Sequence, residues 1–301
     1  MNAVETKQLS KAYGVHQVVN GMDLTVKKGE IFGFLGRNGA GKSTFINMLT
    51  GIISPSSGTY SLLGIEAPGS EVMKRVGVMP DYSSFYGSWT AMEHLRFFSA
   101  LSGSRASKEK CLEVLRSVDL LSHGNKKTGK FSFGMKKKLG IAQAIIHDPE
   151  LVFLDEPTSG MDAESAILIH RLIRQLQEQG KTIFMTSHNL DEVEKICTRI
   201  AIMRDGVIDK IGTMEELRAF YRSTMTVKMK HSSVPKHEQT RLKQWLESAG
   251  TLLEHEDAYT VITISNEKKI AEMIRAFTQC KADVLRVDVE EPSLEEIFLD
   301  E

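Results

Sequence analysis

Apolar residues recur along this chain in two rhythms. Short apolar runs, "GEIFGFLG" at 29–36, "LVFL" at 151–154 and "TIFMTSH" at 182–188, read as strands buried on both faces of a parallel sheet. Between them the apolar positions fall at helical spacing. "STFINMLTG" runs from 43 to its C-terminal stop at Gly51, and a segment after Ser132 carries Leu139, Ile141, Ala142, Ile145 and Ile146. "DAESAILIHRLIRQLQEQGK" predicts an amphipathic helix capped by Asp162 and stopped at Gly180, burying Ile169, Leu172, Ile173 and Leu176. After "RDGVIDKIGTMEELRAFY", a hairpin with an Asp-Gly turn and then a short helix, the rhythm changes. The elements now follow the order βαββαβ, which predicts a small α+β domain of ferredoxin-like type over 221–301, ending in a short acidic helix with a Ser293–Glu296 capping box.

Composition narrows what this α/β chain can be. Its 301 residues suffice for two domains. Lysine and arginine number 38 against 39 acidic residues, so the net charge of −1 gives no global pull toward nucleic acid. The three cysteines, Cys111, Cys197 and Cys280, are far apart and read as reduced thiols in apolar surroundings. The N-terminus carries no apolar signal region, and no apolar run approaches membrane-spanning length. The chain is therefore expected neither to cross nor to enter a membrane by itself.

The chemistry begins at "GRNGAGKST", residues 36–44, which follows a predicted strand and opens a predicted helix. Glycine is destabilising in an ordered turn unless bare backbone is needed there. The pattern G-x-x-x-x-G-K-[ST] supplies that need: its amides converge on an anion, and the helix start adds about half a positive charge. The residues Gly36, Arg37, Asn38, Gly39, Ala40, Gly41, Lys42, Ser43 and Thr44 are thus predicted to bind a nucleoside triphosphate. Lys42 would reach the β- and γ-phosphates and Ser43 would hold Mg²⁺. The second strand delivers Asp155 and Glu156 at its carboxyl end, where open α/β sheets bind ligands. Asp155 can hold the cation while Glu156 orients or deprotonates water. The third strand ends at His188, on the same edge, within reach of a γ-phosphate. Ser132 and Gly134 open a helix, where the serine is first an N-cap and secondarily part of a second anion site. Six lysines crowd that region, Lys126, Lys127, Lys130, Lys136, Lys137 and Lys138, and most are expected on a solvated face.

With these residues in order, the chain resembles the ATP-binding cassette family over about residues 1–220. The Walker A loop corresponds to 36–44, Walker B to 151–156, the D-loop to 159–162 including Asp162, and the switch histidine to His188. Tyr13 matches the aromatic that stacks on adenine, the alternative being a strand-edge tyrosine. "FSFGM" at 131–135 stands in place of the LSGGQ signature, with Phe133 and Met135 replacing Gly and Gln, a form similar to that of bacterial exporter-type cassettes. The resemblance implies a P-loop NTPase with an N-terminal antiparallel β subdomain and a helical insertion at about 82–147. It implies a head-to-tail pair of cassettes, a homodimer or a heterodimer with a sister cassette, in which Ser132 and Gly134 meet the ATP of the other copy. It further implies an integral-membrane permease driven by ATP and Mg²⁺, and a place on the inner face of the cell membrane.

Two stretches depart from or extend the pattern. Where relatives carry a γ-phosphate-sensing glutamine, "VGVMPDYSS" offers Asp81, and no glutamine lies between Lys42 and Ser132. Asp81 is expected to engage the cation through water, or to be a loop-capping residue after Pro80. "DYSSFYGSWTAMEHLRFFSAL" concentrates Tyr82, Phe85, Tyr86, Trp89, Phe97 and Phe98. Phe97 and Phe98 are expected in a small helical core, and the earlier aromatics at the groove that receives the membrane subunit. The sequence predicts the ATPase subunit of an exporter. The alternative, a soluble cassette acting on ribosomes or nucleic acid, is disfavoured by the single cassette and the absence of extended heptads between Lys42 and Ser132.

Overall fold

The computed structural model describes residues 1–81, 85–221, 225–256 and 258–290. Tyr82 and the expected C-terminal helix with Ser293 and Glu296 lie outside them. Contacts divide the chain into two compact units, Met1–Met214 and Glu215–Glu301, whereas the boundary read from the sequence falls after residue 220.

The first unit holds two sheets. Strands β1 (Asn2–Tyr13), β2 (His16–Lys27), β4 (Ser57–Leu62) and β5 (Ile65–Glu66) form an antiparallel sheet in the order β2-β1-β4-β5. The other is ordered β10-β9-β3-β8-β7-β6, from β3 (Ile31–Leu35), β6 (Val76–Met79), β7 (Leu151–Leu154), β8 (Thr182–Ser187), β9 (Arg199–Arg204) and β10 (Val207–Thr213). All its pairings are parallel except β9–β10, which closes through the expected Asp205-Gly206 turn. Strands β3, β7 and β8, which lie within the three runs read as buried strands, have every residue buried, while Gly29 and His188 at the edges of those runs do not. Helices α1 (Lys42–Leu49), α6 (Ala163–Glu178) and α7 (Leu190–Ile196) follow them, and the short α2 (Ser70–Met73) precedes β6. Asp162 caps α6, its Oδ1 accepting from the Ser165 amide at 2.9 Å, and the four predicted residues of that helix are buried.

Phenylalanines hold the site-bearing strands together. Phe184 of β8 packs against Phe34 of β3 and Phe153 of β7, with ring centroids 5.6 and 5.3 Å apart. Phe45 of α1 stacks on Phe34 at 5.2 Å. All four are fully buried, and each contributes about 1.5–3 kcal/mol by leaving water.

Between β6 and β7 the chain is helical, with α3 (Ala91–Leu101), α4 (Lys108–Ser117), two single 3₁₀ turns, and α5 (Phe133–Ile145). Phe97 does not lie in a core as expected; its side chain is 39% exposed, and the buried residues of α3 are Ala91, His94, Leu95 and Ser99. The aromatics instead surround His94, whose ring lies 5.3–6.0 Å from those of Phe85, Tyr86, Trp89 and Phe98. Burial pushes the pKa of His94 below its ordinary value.

Helix α8 (Met214–Tyr221) lies at the division between the units. The second unit runs β11 (Met225–His231), α9 (Lys236–Ala249), β12 (Thr251–Glu256), β13 (Tyr259–Ile264), α10 (Lys268–Gln279) and β14 (Val284–Glu290). Its sheet is antiparallel in the order β12-β13-β11-β14. Val227, Met229 and Ile262 of the sheet form one core with Leu242, Leu246, Met273 and Phe277 of the helices.

Candidate functional site

The glycine loop turns out of β3 into α1 with backbone that few side chains tolerate. Gly39 has φ +86° and Gly41 φ +107°. A Cβ on Gly41 would lie 2.6 Å from the Val18 carbonyl oxygen. The loop is held from behind by the β9–β10 turn, where the Gly206 amide donates to Ala40 O at 3.2 Å and Gly206 O accepts from the Asn20 amide at 2.8 Å. Helix α1 therefore starts on Gly41, with no side chain capping it. Its first-turn amides remain available to an anion.

Lys42 curls back over this loop and is buried. Its Nζ donates to Gly36 O at 2.7 Å and Arg37 O at 3.4 Å, and lies 3.4 Å from Glu156 Oε1. Two strands away, β7 presents Asp155 and Glu156, and the intervening β8 joins them. Thr186 Oγ1 donates to Asp155 Oδ1 at 2.6 Å and accepts from the Glu156 amide at 2.9 Å. Glu156 has φ +52°, a left-handed conformation uncommon for a side-chain-bearing residue. Its Oε2 meets His188 Nδ1 at 2.8 Å. Its Oε1 is buried and accepts no hydrogen bond among the described residues. A buried carboxylate oxygen in that condition is an acceptor awaiting a donor.

These groups surround one cleft of about 190 Å³. Asn38, Gly39, Gly41, Lys42, Ser43, Thr44, Asp81 and Glu156 line it, with Val18 from β2. Gly36, Arg37 and Ala40 shape the loop behind it, and Asp155 and His188 reach it through Thr186 and Glu156. Besides these five, four more predicted residues are not among its walls. Tyr13 is half exposed on β1 beneath the Lys11 ammonium, which is 5.1 Å from its ring centroid. Ser132 caps α5, its Oγ accepting from the Met135 amide at 3.3 Å; Gly134 lies in the first turn of α5 and Asp162 at the start of α6.

Four of the six lysines are not buried, in keeping with the expectation for most of them, but two are. Lys137 and Lys138 are buried. Lys137 Nζ donates to Asp81 Oδ1 and to Glu156 O, both at 2.7 Å, while Lys138 pairs with Asp119 at 3.2 Å. Asp81 is accordingly an ion-pair partner as well as a wall of the cleft. Burial is legible in the spacing, since Lys137, Ile141 and Ile145 recur every four residues along one face of α5.

Glu192 was also missed. On the buried face of α7, it binds Ser187 Oγ at 2.7 Å, His170 Nε2 at 3.0 Å and the Thr158 hydroxyl. Burial works to raise its pKa, but the hydrogen bonds from His170, Thr158 and Ser187 outweigh it and hold the carboxyl below its ordinary value. The ionised carboxylate thus ties the segment after Glu156 to the one bearing His188.

This geometry has counterparts among known proteins. A family model described as ABC transporter matches residues 19–159, and one described as ATP-binding protein DrrA1-3-like, C-terminal domain, matches residues 212–301. The chain is 33% identical to the linearmycin resistance ATP-binding protein LnrL of Bacillus subtilis (strain 168), covering 98% of this chain and 97% of that one. It is 33% identical to the bacitracin transport ATP-binding protein BcrA of Bacillus licheniformis, covering 98% and 96%. Among solved structures, an ATP-binding subunit of an ABC transporter superposes with a TM-score of 0.66 at 28% identity, covering 73% of this chain and 93% of that one. A dimeric post-hydrolysis cassette, MJ0796 with ADP and Pi, gives 0.66 at 22% identity over 70% and 98%, a likeness of fold. The protein belongs to the ATP-binding cassette family. It is the ATP-binding and ATP-hydrolysing subunit of an ABC transporter.

Proposed function

We propose that this subunit powers an exporter through a separate membrane-spanning permease, working as a pair of cassettes, either two copies or one with a sister chain. The observation that carries the chemical part is Glu156 Oε1, which is buried, without a hydrogen bond among the described residues and 3.4 Å from Lys42 Nζ on the wall of the cleft. Lys42 and the loop amides bind the β- and γ-phosphates of ATP. Glu156 orients and deprotonates the attacking water, and His188 holds the Glu156 carboxylate and meets the γ-phosphate. Tyr13 stacks on adenine.

The residues present suit Mg²⁺. Among the described residues no three His, Cys, Asp or Glu are grouped to hold a metal, and Mg²⁺ in such sites rests on one or two protein ligands plus substrate phosphates. Ser43 and Asp155 would be those ligands, with Asp81 acting through water. When bound, the cation neutralises charge on the β- and γ-oxygens.

Ser132 and Gly134 serve the ATP held by the other cassette, and Asp162 stands at the junction of the pair. The domains assigned on this reading are 1–220 for the cassette, with its helical insertion at about 82–147, and 221–301 for an accessory domain. The order β12-β13-β11-β14 with α9 and α10 supports a ferredoxin-like accessory fold. The exposed rings of Tyr86 and Phe97 suit the surface that receives the permease. Among the described residues no helix is long and apolar enough to cross a membrane, so the permease provides attachment at the cytoplasmic face. Resistance, transport and export are the roles named for the relatives, which favours export over an action on ribosomes or nucleic acid.

Glu156→Gln tests the reading. It should retain ATP binding, lose at least a hundredfold in turnover, and accumulate an ATP-dependent dimer in size-exclusion runs, alone or with a sister cassette. Near-normal hydrolysis would overturn the role of Glu156, and a species that stays monomeric with every cassette partner would overturn the pairing.

A further inference from the structure

Lys137 lies outside the phosphate cleft, yet it touches two of the groups around it. Its side chain is 4% exposed. Its ammonium donates to Asp81 Oδ1 from the segment after β6, and to the backbone oxygen of Glu156 after β7, each at 2.7 Å. It also lies 5.7 Å from the ring centroid of Phe133, one turn earlier on α5. That ring packs against the D-loop, since a Cβ on Gly160 would come within 2.8 Å of it. One buried ammonium therefore fastens the signature helix to the Asp81 segment, to the residue bearing the reactive carboxylate, and through Phe133 to the D-loop.

The chemistry explains the aspartate. A buried ammonium is strongly unfavourable without an acidic partner. A glutamine at 81 would leave Lys137 with neutral oxygens only; the carboxylate completes the pair. The backbone bond matters in a different way. Glu156 adopts a left-handed conformation that persists only where neighbours fix it. Thr186 fixes its amide, and Lys137 fixes its carbonyl. Together they set the direction in which the Glu156 side chain leaves the backbone.

We propose that Lys137 is a positioning residue for hydrolysis: it aims Glu156 at the cleft, and through its pair with Asp81 it makes that aim depend on how the Asp81 segment is seated. This rests on the assignment of Glu156 as the residue that activates water. A shift of the segment bearing Asp81, which lines the same cleft as Lys42, is thereby passed to the catalytic carboxylate without any movement of the nucleotide.

The test is steady-state ATPase and ATP affinity of the full chain. Lys137→Met should lower kcat about tenfold or more, leaving KM and ATP affinity within about twofold, because Lys137 does not line the cleft. Lys137→Arg, which keeps the charge and its donors, should recover kcat to within about threefold of wild type. In an Asp81→Asn background the loss from Lys137→Met should shrink at least fivefold, and that double variant, with both charges removed, leaves no buried charge unpaired if either single variant folds poorly. Unchanged kcat in Lys137→Met overturns the proposal. So does a parallel loss of kcat and ATP affinity that Lys137→Arg does not rescue, which marks a merely structural lysine, or strict additivity with Asp81→Asn. If wild-type hydrolysis survives Glu156→Gln, the assignment of Glu156 fails instead, a result readable before Lys137 is touched.

Discussion

Two helices begin at motifs proposed above to handle phosphate, and they begin differently. Helix α1 starts on Gly41, in left-handed backbone, with no side chain closing its end. Helix α5 starts on Ser132, whose hydroxyl already accepts the Met135 amide. The α1 loop is crowded, with the Val18 carbonyl against Gly41 and the Gly206 amide on Ala40. The start of α5 is open: Ser132 is exposed, and a Cβ on Gly134 would meet nothing within 4 Å. The first is built and braced by its own chain. The second has its own cap in place and open space around Gly134. A serine and a glycine at a helix start thus mean different things according to what surrounds them.

Substitutions can break this contrast. The largest effect is expected for Lys42→Ala, which strips Glu156 of its buried counter-charge; such losses reach about 3–5 kcal/mol. ATP affinity should drop at least tenfold and turnover should nearly vanish in a coupled ATPase assay, whereas normal turnover would remove the loop from the chemistry. Next comes Gly41→Ala, where φ +107° and the 2.6 Å approach to Val18 O leave no room. It should cost about 1–3 kcal/mol in thermal unfolding, with the stabilisation by added ATP lost.

At α5 the expected effects are smaller and separable. Ser132→Ala should lower stability by about 1 kcal/mol, the worth of a cap, without altering ATP binding by the isolated chain. Gly134→Ala should leave unfolding unchanged or raise stability by up to about 1 kcal/mol, as alanine does in a helix. If it reduces turnover of the assembled pair while the chain is equally stable, the open face receives a partner. A destabilisation above 1 kcal/mol would show α5 to begin in a crowded place after all, and the contrast would fall.

The sequence carries the first helix start more completely than the second region. Gly36, Gly41, Lys42, Asp155 and Glu156 are legible because their chemistry is local: a turn that admits no Cβ, and carboxylates at the end of a strand with four apolar residues. Lys137 reads as one of six neighbouring lysines; its spacing points it inward, but its two partners, Asp81 and Glu156, are distant in the chain. Glu192 is hidden likewise, because Thr158, Ser187 and His170 come to it only through the folded sheet. The aromatics at 85–98 were legible as a cluster, but not the histidine at their centre. His94 sits on the buried side of α3, which leaves Phe97 toward solvent. Spacing indicates that a residue faces inward; it does not name what will be met there.

The position of β8 between β3 and β7 has a consequence for how the protein is made. Neighbouring strands lie about 4.8 Å apart, so the lysine loop and the carboxylates are set two spacings from each other by a strand that arrives last of the three. Ile31 pairs with Ile183 and Leu151 with Thr182. A ribosome must therefore finish nearly two-thirds of the chain before the two halves of the nucleotide cleft can be brought to their final separation. Such distant pairings form slowly, and until β8 is inserted there is no Thr186 to join Asp155 to Glu156. ATP can stabilise the completed sheet by mass action but has no complete cleft to grip before it, which makes the nucleotide a witness to folding rather than its template.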